Sequence, residues 1–94
     1  MVSFERLGAE SLIDRIRGEL VGKILSGELH PGDRLPPERD MAEQMGVSRS
    51  SLHQAVLQLE TQGFLKIESR RGTVVADYRK HPTPQSLSAL LGYG

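Results

Sequence analysis

Ser48, Arg49, Ser50, His53 and Gln54 place hydroxyl, guanidinium, imidazole and amide groups within one short stretch. Groups of these types donate to phosphate oxygens and to the edges of bases. A second basic set, Arg70 and Arg71 ahead of Gly72, lies further along at a glycine turn. Taken alone, Arg49 reads as a solvated arginine, and Arg70 and Arg71 as charges guarding a ribbon edge. Catalytic chemistry has weaker grounds. Ser, His and Asp all occur, but nothing in the spacing sets them as nucleophile, base and orienter. Glu38, Asp40 and Glu43 share one helical segment, where helix-end electrostatics explains them better than acid–base work. His30, His53 and His81 are scattered without ligand spacing, and the chain has no cysteine. No metal site, no cofactor in this chain and no enzyme activity are therefore expected.

The elements that must position these groups are legible in the pattern of apolar residues. From Ala9 to Ser26, Ile13, Ile16, Leu20 and Ile24 recur on one face, which predicts a helix. Ser11 or an earlier residue can cap its start, and Gly27 can end it in the left-handed conformation. Pro31-Gly32 marks a turn, and Asp33 to Leu35 is suited to a short extended segment. A second helix is predicted from about Pro37 to Met45, ending at Gly46. A third follows from Arg49 to about Gln62, capped by Ser48 and ended by Gly63. Leu52, Ala55, Val56 and Leu59 form its buried stripe. Ser50, His53, Gln54 and Leu57 fall on the opposite side, where Leu57 is an apolar exception. Two extended pieces, Phe64 to Glu68 and Thr73 to Ala76, flank the Ser-Arg-Arg-Gly turn. The tail is a Pro/Ser linker, after which Thr83-Pro84 can open a helix bearing Leu87, Leu90 and Leu91. That stripe resembles half of an interface, because a helix of this length is marginal alone.

Ala42, Gly46 and Leu52 have the spacing of a tight helix–turn–helix. A small residue lets the helices cross closely, glycine takes the left-handed turn, and Leu52 anchors the second helix. A helix so mounted, with a basic-tipped ribbon behind it, can be laid in the major groove of DNA. The formal net charge of the 94 residues is zero, but its distribution is uneven. Residues 1–46 carry six basic and nine acidic side chains, and residues 47–94 carry six basic and three acidic. The positive half contains the third helix and the ribbon, and local charge sets the field that a phosphate backbone meets. No apolar run is long enough to cross a bilayer, and the N-terminus does not read as a secretory signal. A cysteine-free chain suits a reducing cytoplasm.

LPPERDMAEQMGVSRSSLHQAVLQLETQGFL followed by RRGTVV, with SGELHPGDRLPPER ahead of it, resembles the GntR family of bacterial transcription regulators. The resemblance covers about residues 10 to 77, and is nearest to the FadR-like branch. It implies an α+β winged helix-turn-helix of three helices and a small antiparallel β-ribbon over residues 1–77. Residues 78–94 would then be a linker and the start of a helix leading to an all-helical effector domain. The family pattern implies a homodimer on a palindromic double-stranded operator, controlled by a small-molecule effector bound to that further domain. Carried over residue by residue, it implies DNA contacts from Arg39, Ser48, Arg49, Ser50, His53 and Gln54, and from Arg70, Arg71 and Gly72 at the wing. Two positions depart from the pattern: His53 stands where the family has arginine, and Gln54 where it has glutamate. An arginine can fork onto a guanine edge and a histidine cannot. The rival expectation is a winged-helix module that binds protein rather than DNA.

Overall fold

A computed structural model of the chain describes residues 2–4 and 8–92, with the side chains of residues 8–11 outside that description. Among the described residues the order is α1 (Gly8–Leu25), α2 (Glu38–Met45), α3 (Arg49–Thr61), β1 (Leu65–Glu68), β2 (Gly72–Val75) and α4 (Pro84–Gly92). This is the expected α+β winged helix-turn-helix, with a fourth helix added by the tail. Because α1 begins at Gly8, Ser11 lies inside it and is not its cap; any cap would lie outside the described residues.

The buried side of α1 is Ile16, Leu20 and Ile24, one residue per turn. It ends as expected at Gly27, whose φ is 91°. The crossing of α2 and α3 follows from three small features. Ala42 is buried and lets the helices approach. Gly46 adopts φ 68° and ψ 35°, and its N–H donates to the Ala42 and Glu43 carbonyls. Val47 N–H then donates to Ala42 O at 3.0 Å, so the turn closes the last carbonyls of α2. Along α3, Leu52, Ala55, Val56 and Leu59 are all 0% exposed and face α1, α2 and β1.

The ribbon is antiparallel, with Leu65 opposite Val75 and Glu68 opposite Gly72. The segment before α2 completes it. Arg34 bridges Val74, Leu35 N–H donates to Thr73 O at 2.8 Å, and Val75 N–H donates to Asp33 O at 2.8 Å. Both edges of β2 are therefore paired. The outer edge of β1 is partly closed by a side chain, since Ile67 N–H donates to Glu60 Oε2 at 2.9 Å. Phe64, expected in the strand, stands just ahead of it: its carbonyl accepts across the ribbon from Ala76 N–H at 2.9 Å, while its N–H donates to Leu59 O at 2.9 Å. It ends the α3 wrap, and its ring meets Tyr78 at 6.0 Å between centroids.

Packing does not stop at residue 77. Tyr78 is in the core, and Ser86 of α4 is 0% exposed. The Thr83 and Ser86 side chains cap α4 reciprocally: Thr83 N–H donates to Ser86 Oγ at 2.8 Å, and Ser86 N–H donates to Thr83 Oγ1 at 3.1 Å. Thr83 Oγ1 also donates to the Gln62 carbonyl at the end of α3. The leucine stripe divides: Leu90 packs against the core, while Leu87 and Leu91 are exposed.

This seam distinguishes two glycines. A Cβ at Gly46 would meet nothing within 4 Å, whereas one at Gly63 would stand 2.6 Å from the Thr83 methyl. Gly46→Ala should cost about 1–2 kcal/mol, the left-handed penalty alone. Gly63→Ala should cost about 1 kcal/mol or more beyond that, through overpacking. Urea unfolding should show most of the excess relieved in a Thr83→Ser background, which removes the methyl and keeps the hydroxyl 3.3 Å away.

Candidate nucleic-acid interface

With its apolar stripe buried, α3 has only one rotation about its axis, and its polar side faces out. Arg49, Ser50, His53 and Gln54 are all exposed. Leu57 shares that side at 38% exposure, so the apolar exception is real but only partly uncovered. Among the described residues, Arg49 and Arg70 carry no ion pair. Both guanidiniums keep their donors for a partner.

The other expected side chains are less free. Ser48 caps α3 by accepting from Ser51 N–H at 3.0 Å, and it donates its hydroxyl to Ser51 Oγ at 2.9 Å. Its one hydroxyl hydrogen is thus spent within the cap, and a phosphate, which only accepts, would have to draw it away. The Ser51 hydroxyl is the donor left over, a residue the sequence pattern did not single out. Arg39 is exposed, with Nε 3.8 Å from its neighbour Asp40. At that distance and exposure the pair holds it weakly.

The wing tip also separates into two roles. Arg71 folds back, its Nη2 donating to Gly32 O at 3.1 Å and its Nη1 lying 3.8 Å from Glu68. It ties the ribbon turn to the loop before α2. Arg70 stands beside it without such ties. Gly72 supplies the turn with φ 77°, a conformation that side chains with a Cβ rarely take.

His53 is not a lone exposed side chain. Its Nδ1 lies 2.9 Å and 3.2 Å from the two carboxylate oxygens of Glu38, at the start of α2. The sequence offered Glu38 only as a helix-terminus charge. The two residues are fifteen positions apart, so no helical or strand spacing relates them, and only the crossing of α2 and α3 brings them together.

The exposed groups are therefore a polar helix face at the N-terminal end of α3, Arg39 on α2 and a basic ribbon tip. This defines the helix–turn–helix class with a wing. The family profile described as "Bacterial regulatory proteins, gntR family" matches residues 6–75, and the chain belongs to that family. It is 38% identical over 78 residues to the HTH-type transcriptional regulator Rv0494 of Mycobacterium tuberculosis, covering 83% of this chain and 32% of that protein. It is 37% identical over 75 residues to the HTH-type transcriptional repressor NagR of Bacillus subtilis, covering 80% of this chain and 31% of the repressor. The chain thus spans about a third of the length of these two relatives. Among solved structures it is similar to AraR(DBD) in complex with operator ORR3, with a TM-score of 0.66 and 29% identity. That match covers 81% of this chain and 88% of the other.

Ser48→Ala tests the cap apart from any ligand. It should lower stability by about 1 kcal/mol in thermal or urea unfolding. Ser51→Ala, which leaves the Ser48 oxygen able to accept from the backbone, should cost less.

Proposed function

We propose that this domain is the DNA-reading part of a transcription regulator, laying α3 into the major groove of an operator and its ribbon tip on the adjoining minor groove. The observation that carries this reading is the division of α3. One side is wholly buried, and the other presents Arg49, Ser50, His53 and Gln54 to solvent from the first turns of the helix. The positive balance of residues 47–94 and the solved AraR domain on its operator support it. Unpaired guanidiniums at both Arg49 and the wing tip suit a polyanionic partner such as DNA.

The geometry supports the following roles. Arg49 is free to fork onto a guanine edge or a phosphate. Ser50, His53 and Gln54 lie along the same side for base edges. Arg39 and Arg70 supply backbone charge. Arg71 and Gly72 shape the tip, and Ser48 sets the helix start. Residues 1–77 carry this binding, and residues 78–94 lead away from it. We place the chain in the FadR-like branch on the strength of its Pro/Ser segment and following helix. By family analogy, the complete regulator acts in the cytoplasm as a homodimer on a palindromic site, under control of a small-molecule effector held outside this domain.

Fluorescence anisotropy with duplex DNA tests the reading. With about four phosphates neutralised per domain, log K should fall against log[salt] with a slope of roughly −3.6. A flat response would refute DNA binding. Arg49→Ala should cost about 1–3 kcal/mol and relax preference at one operator position. Arg70→Ala should weaken binding to every duplex alike and shallow the salt slope by about one. Wild-type affinity in both, with folding intact, would exclude this surface.

A further inference from the structure

We propose that Glu38 is a positioning residue that aims His53 at one base pair, so that the two side chains together set sequence preference at a single operator position. This rests on the reading of α3 as the DNA-reading helix.

His53 is 49% exposed and Glu38 is 27% exposed. An imidazole so exposed, standing alone, would turn among rotamers. Here both carboxylate oxygens lie within hydrogen-bonding distance of Nδ1, at 2.9 Å and 3.2 Å. Nδ1–H donates to Glu38, which fixes the ring orientation from a different helix. In the neutral ring the same bond also selects the tautomer. Nε2 is then the one polar ring atom left for a base edge. The ring is ordered before DNA arrives, so its rotamer freedom is not lost on binding.

The position of Glu38 at the start of α2 suits a carboxylate for electrostatic reasons. That explains a negative charge on the first turn but not its engagement with α3. The pair also fits the substitution at residue 53. An arginine fork could fix its own register on a guanine by making two bonds. A histidine with one available nitrogen makes one bond, and gains direction from a neighbour instead. The carboxylate has a cost, because a negative charge beside His53 on the outward side of α3 repels phosphates of any sequence.

Selection from a pool of random-sequence duplexes, with wild-type chain and variants, tests the assignment. Circular dichroism melts establish that each variant is folded. Wild type should enrich a motif in which one position is discriminated about fivefold or more, the level of a single base-pair mismatch. His53→Ala and Glu38→Ala should each bring that same position to near-even base frequencies and leave the others unchanged. Glu38→Met, which keeps the length and replaces the carboxylate with a weakly accepting thioether, should repeat the loss if the alanine variant is poorly folded. Glu38→Gln should retain the preference, because its carbonyl oxygen accepts at the same reach. It should also bind all duplexes more tightly, having lost a negative charge. Unchanged preference in Glu38→Ala and Glu38→Met would overturn the assignment. So would a preference lost on replacing Glu38 but kept in His53→Ala, since Glu38 would then be the reader. Either result leaves DNA binding standing, whereas failure of wild type to enrich any motif would overturn both readings.

Discussion

Burial of one side of α3 is the constraint on which the rest depends. Leu52, Ala55, Val56 and Leu59 leave no accessible surface. A helix held by four such contacts cannot roll about its axis without exposing apolar area, at roughly 25 cal/mol per Å². The outward side is therefore fixed as firmly as the inward one. Arg49, Ser50, His53 and Gln54 need no mutual contact to form a surface, because the core on the far side of the backbone aligns them. The tight turn serves the same end. Ala42 and Gly46 bring α2 close enough for Glu38 to reach His53, so crossing geometry becomes side-chain geometry.

The ribbon depends on the same core from the other direction. Val74 and Val75 anchor β2, and its two edges are satisfied by β1 and by the Asp33–Leu35 segment. A lone two-stranded hairpin is marginal in water, so this third piece is what gives the wing a stiff root. Arg71 extends the stiffening to the tip by returning its guanidinium to Gly32. Two adjacent arginines thus differ in kind: one is tied into the fold, and the other is turned out from it.

The fold was largely readable from the residues because its signals are local. The α1 period, the Ala42–Gly46–Leu52 spacing, Ser48 at a helix start and the glycine turn each act within a few residues. The exposed side of α3 followed directly from its buried stripe. What escaped was set by contacts distant in sequence. Nothing near Tyr78 marks it as core; it is buried because Phe64 is there to meet it. Arg71 could not be told from Arg70 without knowing that Gly32 lies opposite. The His53–Glu38 bond belongs to the same kind, whereas the diversion of the Ser48 hydroxyl to Ser51 is local and was missed because it depends on a side-chain rotamer. They decide which atoms remain available, and a residue type alone does not carry that information.

One oxygen bridges the start of α4 and the end of α3. Thr83 Oγ1 accepts from Ser86 N–H to start α4 and donates to the Gln62 carbonyl at the end of α3. Removal of α4 from its seat therefore takes away the donor to that carbonyl, and distortion of that carbonyl disturbs the first turn of α4. Docking and winding of the tail helix are thus linked. The Thr83 hydroxyl couples the two, at the far end of α3 from Arg49.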